Sequence, residues 1–327
     1  MKTSQRALAL ALCISLPSVV AHGENHGETY PSKTITLVVT AAPGGVTDIL
    51  ARAISQQLTK AWGQQVVVEN KPGASNQIGA VYVAKSAPDG YTLLVSPEAT
   101  FVINPWLYDR LPYDPANDFV PITGLISISQ ALITNPSVPA QNLKELIELA
   151  KKRPSELNYG TFGVGSTGHL NMEMLQSLSG VTLVPVHYKG ATPALTDVIA
   201  GHIQMMFINT SSAIEPWKAG MVRLLAVGSS KRLARYPEIP TVAESGLPGF
   251  QAVSWFGLFA PRGTPQDIIA RINAEVRQVF EHQELQKLLA NNMFEPMLSS
   301  PEQFSAFIKV DAEKWHNAVR SAKVKPQ

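Results

Sequence analysis

"TITLVVTAAPGGVTDILARAISQQLTKAWG", residues 34–63, is the stretch that sets the fold. Its first eight residues form a continuous apolar, β-branched run, which reads as a strand. The run breaks at "APGGVTD", and Ile49, Leu50, Ala53, Ile54 and Leu58 then share one helical face. Strand, glycine turn and helix follow one another with no spare residues, which is half of a βα unit.

The same alternation continues outward from this stretch. "QVVVEN" precedes a helix-like "IGAVYVAKSA", and the turn "PDG" at 88–90 leads into the strand "YTLLVS". "NPWLYDRLPYDPANDFVPI" (104–122) carries four prolines and no clean period, so it reads as a long ordered connection. Strand character resumes at "SQALITN". "NLKELIELAKKRP" is a helix with Asn142 as its N-cap and Pro154 as its stop. "ELNYGT" with "HLNMEMLQSLSG", "VTLVPVHY" with "TPALTDVIAG", and "IQMMFIN" with "AIEPWKAG" are further units. After "RLLAVGS" comes a second proline-rich stretch, "RYPEIPTVAESGLPGF". The tail gives the strand "WFGLFAP", a helix from about Pro265 to Glu281 and a last one from Pro301 to Ser321.

Such alternation implies an α/β fold with mostly parallel sheets. The two irregular stretches, near 104–130 and 232–252, bracket a middle block of βα units. The economical layout is two lobes crossed twice by the chain. Residues 31–128 with 252–327 form one lobe and 129–251 the other, with a ligand cleft between them beyond the carboxyl ends of the strands.

Each lobe carries a glycine loop between a strand and a helix. The first is Pro43-Gly44-Gly45 with Thr47 or Asp48 opening the helix. The second is Gly163-Val164-Gly165-Ser166-Thr167-Gly168 before His169. Glycine lets the chain turn sharply, and the helix start behind it offers unpaired N–H groups and a partial positive charge. A carboxylate or phosphate fits there without lysine or arginine. The backbone N–H groups of Gly44, Gly45, Ser166 and Thr167 are therefore the leading candidates for anion contact.

Two enzymatic readings compete. Gly163, Gly165 and Gly168 spell the dinucleotide-binding pattern, but no Asp or Glu ends the next strand, where "VPVHYKG" places His187, Tyr188 and Lys189. Ser166 and His169 suggest a secreted serine hydrolase, but the first glycine of G-x-S-x-G is out of register, and a serine opening a helix is more often a cap. The histidines show no metal-ligand spacing, so neither a metal nor a cofactor is expected.

Composition narrows the classes further. The chain has 327 residues, 45% hydrophobic and 16% charged, which suits a globular protein. Lys2 and Arg6 precede the apolar run Ala7–Val20, with Val19-Val20-Ala21 as a cleavage site. Residues 1–21 read as a secretory signal peptide and 22–30 as a flexible tail. Its removal takes away Cys13, the only cysteine. It also takes two of the 27 basic residues, leaving 25 against 25 acidic ones. No basic field remains for nucleic acid.

Taken in order, these residues resemble a known family. "YPSKTITLVVTAAPGGVTDILARAI", "VVVENKPGASNQIGAVYVAKSAPDGYTLL", "NYGTFGVGSTGHLNMEML", "VHYKGATPALTDVIAGHIQMMF" and "AVGSSKRLARYPEIPTVAESGLPGF" are similar to successive signatures of the Bug-type binding proteins of tripartite tricarboxylate transporters. The likeness covers essentially the whole mature chain. It implies a periplasmic, monomeric, non-catalytic two-lobe protein with a Venus-flytrap fold. Such a protein closes on a small carboxylate and delivers it to a membrane permease.

The resemblance also implies ligand contacts. These are Ala42, Pro43, Gly44, Gly45, Val46, Thr47 and Asp48 in the first lobe, with Ser96 at a strand end. In the second lobe they are Thr161, Gly165, Ser166, Thr167 and His169, then Lys189, Gly190 and Ala191, and Asn209. The chain departs from the family at Val46, Asn76-Gln77, Glu98, Phe101 and Asn209, where substrate choice is made. Phe101 and Asn209 suggest a less polar middle of the cleft, which leaves an aromatic carboxylate such as terephthalate open beside di- and tricarboxylates. Asp48 is either a first-turn helix acid or a ligand contact. Lys189 is either a solvated loop charge or a contact, and Phe101 either core or cleft.

Overall fold

The computed structural model describes residues 30–322. The leader expected at 1–21 and most of the expected tail, 22–29, lie outside the described residues. Tyr30, assigned to that tail, is instead packed. Its hydroxyl donates to the Gly90 carbonyl at 2.7 Å, and its ring lies against Trp62 and Tyr91.

The first units are β1 (Ile35–Val39) with α1 (Val46–Trp62), and β2 (Val66–Asn70) with α2 (Gln77–Ala84). Next, β3 (Thr92–Pro97) enters a π-helical turn (Ala99–Ile103) that runs into α3 (Asn104–Leu107). β1 pairs in parallel with both β2 and β3, so three carboxyl ends and their loops share one edge.

β4 (Phe119–Thr134) is one continuous strand of 16 residues. The sequence reading breaks it, placing connection up to 122 and strand only from Ser129. Pro121 explains the difference. It stands where the pairing register of β4 shifts, so the missing N–H falls at an irregularity rather than in the regular ladder.

The second group is α4 (Leu143–Lys152), β5 (Asn158–Thr161), α5 (Thr167–Ser179), β6 (Val184–His187), α6 (Ala191–Ala200), β7 (Met205–Asn209), α7 (Thr210–Lys218) and β8 (Arg223–Val227). The Asn142 side chain caps α4 by accepting from the Glu145 N–H at 3.0 Å. After an irregular stretch come β9 (Val253–Pro261), α8 (Gln266–Val279), α9 (Gln283–Asn292), the short β10 (Glu295–Pro296) and α10 (Pro301–Ser321).

The strands run in the order β2-β1-β3-β9-β4-β7-β5-β6, with β8 and β10 also pairing β4. β4 lies antiparallel to β9 from Phe119 to Ser129 and antiparallel to β7 from Gln130 to Thr134. It therefore starts in one lobe and ends in the other. The expected parallel pairing holds within the βα units, where β5 is parallel to both β6 and β7. The centre is antiparallel because the chain leaves the first lobe along β4 and returns along β9.

Each side of this crossing has its own apolar core. Ile35, Leu37, Leu50, Ile54, Ile269 and Ile272 pack around β1, α1 and α8. Leu132, Tyr159, Met172, Phe207 and Phe250 pack around β5, β7 and α5. Fully burying one such side chain contributes about 1.5–3 kcal/mol. α10 seats Phe304 and Trp315 against Trp255 and Phe259, which ties the tail to the first lobe. The Trp255 indole N–H donates to Asp311 at 2.7 Å. Trp255 is therefore buried in a cluster that joins the first-lobe strands and α10 to Leu170 in the second group.

Candidate functional site

The carboxyl ends of β3, β5 and β7 border a cavity of about 550 Å³. Its first-lobe wall is Ser75 and Asn76, then Pro97–Ala99, then Asn104, Leu107 and Tyr108. Phe162–Thr167, Ala191, Asn209 and Ser212 form the second-lobe wall, and Ser254 and Phe256 of β9 lie at the crossing. No lysine, arginine or histidine is among these described wall residues. An anion entering here meets amides, hydroxyls and the Glu98 carboxyl, with no cation among the described wall residues.

The second glycine loop forms much of that wall, and α5 begins there. Ser166 is the N-cap of α5, accepting from the His169 N–H at 3.4 Å. Its own N–H is already committed to the Gly163 carbonyl at 3.2 Å. The Gly165 N–H donates to Nδ1 of His169 at 3.1 Å. That bond and the cap fix the loop against the helix. The N–H groups of Thr167 and Gly168 have no acceptor among the described residues, and these are the orphan donors a helix start leaves. The free amides thus lie one residue further along than the sequence reading places them.

His169 is a locking residue. It is 5% exposed, and burial, with His187 beside it, pushes its pKa down to about 4. It stands 3.9 Å from Glu173, whose carboxylate accepts the Tyr159 hydroxyl at 2.5 Å, and burial keeps the histidine neutral near pH 7 despite that neighbour. Its Nδ1 accepts from an amide and Ser166 acts as a cap, so neither is arranged as the base or nucleophile of the hydrolase reading. Thr161 is buried away from the wall, with its hydroxyl 2.8 Å from Nδ1 of His187, and Phe162 beside it lines the cavity.

In the first lobe the structure departs more from expectation. None of residues 42–48 is among the wall residues, although their loop leaves β1 beside the end of β3. The Gly44 N–H donates to Asp48 at 2.9 Å and the Gly45 N–H to the Ala42 carbonyl at 3.4 Å. Asp48 also accepts from Arg52 at 3.0 Å and Asn70 at 2.8 Å. Led by the Arg52 guanidinium, these donors hold its carboxyl down to about 2. Gly44, with a φ of +84°, turns back because its amide is bound by the helix's own acid. Asp48 is a first-turn helix acid in this conformation. Ser96 is likewise spent, bonded to Thr40 at 3.2 Å and Thr100 at 2.7 Å and fully buried.

Of the remaining expected contacts, Ala191 and Asn209 reach the wall, whereas Lys189 is exposed and neither it nor Gly190 lines the cavity. Asn209 precedes α7 without a side-chain cap bond. Phe101 is core, stacked on Phe259 with ring centroids 3.8 Å apart. The apolar middle of the cleft comes instead from Ile103, Leu107, Phe162, Ile208 and Phe256.

Ser75, Asn104, Leu107 and Tyr108 of the wall escape the sequence reading. Ala74, Ser75 and Asn76 all have φ between 46° and 75°, a left-handed run that non-glycine residues rarely adopt. Asn104 and Tyr108 hold it, with the Asn104 amide donating to the Ser75 carbonyl at 2.8 Å and the Tyr108 hydroxyl 2.8 Å from that of Ser75. Glu98 belongs to the departing segment noted above, and its setting is unusual. It is 2% exposed, accepts from the Trp255 N–H at 3.2 Å and is bonded by Ser254. Burial pushes its carboxyl up to about 7.

A polar chain crosses from there to the second lobe. The Gln130 amide donates to Ser254 at 3.3 Å and to the Thr167 hydroxyl at 2.9 Å, and Asn171 donates to Gln130 at 2.9 Å. Gln130 sits where β4 changes partner from β9 to β7.

Comparison with known proteins places this geometry among binding proteins. The family described as "Tripartite tricarboxylate transporter family receptor" matches residues 50–323. Protein BugT of Bordetella pertussis is 34% identical over 299 residues, 91% of this chain and 92% of that one. A solved R. palustris protein with adipate has a TM-score of 0.79 and 35% identity, covering 91% of this chain and 100% of that one. MatC from Rhodopseudomonas palustris, solved with bound malate, has a TM-score of 0.74 and 31% identity over 89% of this chain and 100% of that one. The solved relatives share the two-lobe architecture.

Proposed function

The chain belongs to the tripartite tricarboxylate transporter receptor family of periplasmic solute-binding proteins, and from that premise we propose that it captures a small dicarboxylate between its lobes. One carboxylate lies on the free N–H groups of Thr167 and Gly168 at the start of α5. The second sits toward Ser75, Asn76 and Asn104, with the carbon spacer against Leu107, Phe162 and Phe256. The observation that carries this reading is a cleft with no lysine, arginine or histidine in its described wall, bordered at Thr167 by the start of α5, where the Thr167 and Gly168 N–H groups have no acceptor among the described residues. Such amides bind anions through their own dipoles.

The bound forms of the two relatives, adipate and malate, support the carboxylate class. The apolar spacer surface favours an adipate-like chain or an aromatic ring over a short hydroxy acid. β4 and β9 act as the hinge, near Ser129–Gln130 and Ala252–Val253, and closure shifts an existing open–closed equilibrium. The mature protein works in the periplasm as a monomer and hands its ligand to the membrane permease of a tripartite tricarboxylate-type transporter.

Titration calorimetry with adipate, malate, citrate and terephthalate tests the reading. Adipate or terephthalate is expected to bind at least tenfold more tightly than malate. No heat with any of the four refutes the proposal.

A further inference from the structure

We infer that Glu98 meets the ligand as a neutral carboxylic acid, so that capture of a dicarboxylate takes up a proton from solution. This rests on the carboxylate reading above. Glu98 is the one carboxyl among the described wall residues of a cleft that offers an anion no cation. An ionised Glu98 facing a bound carboxylate would set two like charges in a buried space, which raises the pKa of one of them. The ligand carries the fixed charge, so the proton goes to Glu98. A protonated Glu98 then has an O–H to donate, and a ligand carboxylate is an acceptor.

The surroundings leave it poised for this. From β9, the Trp255 N–H and Ser254 hold the carboxyl, and β9 contributes no titratable group. β3 and the π-helical turn contribute none either. From α10 the charged group acting on it is Asp311, which raises its pKa further, and Asp311 is itself paired with Lys314 at 2.5 Å. Across the cleft, the loop 162–167 contains no ionisable side chain, and His169 and His187 stand behind it. Tyr108 is the other ionisable group in the described wall, and its hydroxyl is 2.8 Å from that of Ser75. Without ligand, burial brings Glu98 to about 7, so its charge is balanced near neutral pH.

The polar chain gives the proton a route to influence the hinge. The Ser254 hydroxyl accepts from Gln130, so its own hydrogen is free for an ionised Glu98. Protonation of Glu98 weakens that acceptor, because the neutral acid carries no net charge on its oxygens. Gln130 also holds the Thr167 hydroxyl beside the free amides. The same side chain therefore touches both the acid's partner and the expected anion subsite.

The test is calorimetry with adipate and terephthalate, both fully ionised, between pH 7 and 8.5. Each titration is repeated in buffers of different ionisation enthalpy. Wild type is expected to take up close to one proton per ligand at pH 8 and to lose affinity about tenfold per pH unit above pH 7. Glu98→Gln keeps the acceptor for Trp255 and an N–H for the ligand. It is expected to bind at pH 8.5 more tightly than wild type, with no proton uptake and a flat pH profile. The proton count on wild type needs no variant. Binding with no uptake and flat affinity in wild type overturns the inference while leaving the carboxylate reading intact. No binding of either acid overturns both.

Discussion

Two buried ionisable groups, Glu98 and His169, make opposite claims on stability. The Glu98 carboxyl is raised from 4.5 to about 7, so between those values the unfolded chain is ionised while the folded one still holds its proton. Stability contributed by this site therefore falls as pH rises through that window, by about 3 kcal/mol at most. His169 is lowered from 6.5 to about 4, so the unfolded chain gains its proton first on acidification. Its contribution is complete above pH 6.5 and is lost as pH falls toward 4. The windows overlap and the slopes partly cancel, so wild-type melting temperature is a poor guide to either. Variants separate them. Glu98→Gln is expected to raise Tm over wild type at pH 8 and to change it little at pH 4. His169→Gln, whose amide oxygen can still accept the Gly165 N–H, is expected to flatten the acid limb. Equal Tm differences at pH 4 and pH 8 for Glu98→Gln would show that the carboxyl is not raised.

At the scale of elements, the second glycine loop is a cross-lobe contact as well as the proposed anion cradle. Gly165 has a φ of +73°, and a Cβ there would collide with Leu107 of α3. Gly165→Ala is expected to lower carboxylate affinity at least tenfold, since the methyl group wedges the second-lobe loop away from α3. Leu107→Ala in the same chain is expected to restore most of the affinity. If the double variant binds no better than Gly165→Ala, the effect is backbone strain of about 1 kcal/mol rather than an interlobe wedge. The loop was legible in the sequence because strand, glycines and helix start are local features. What it does with its amides was not. The commitment of the Gly44 N–H to Asp48 and of the Ser166 N–H to Gly163 depends on how each loop folds back. The same limit hides α9, whose apolar face is little more than Leu285, Leu288 and Leu289. It also hides β4, where Pro121 imitates a loop.

Over the whole molecule, the alternation of βα units and the two irregular stretches pointed to two lobes and a cleft. The wall of that cleft could not be read the same way. Ser75 and Asn76 reach it through a left-handed run that sequence does not announce, and Ser254 reaches it only because β9 returns along β4. Phe101, three residues beyond Glu98, turns into the core while Glu98 stays on the cleft. As proposed, the cavity between the lobes offers a carboxylate dipoles and a proton instead of fixed positive charge. A crystal structure of the complex with adipate or terephthalate tests that claim most directly. The expected structure has the lobes closer together, one carboxylate within 2.7–3.2 Å of the Thr167 and Gly168 N–H groups, and no lysine or arginine on the ligand. A carboxylate paired with a basic side chain, or seated away from the start of α5, would contradict it.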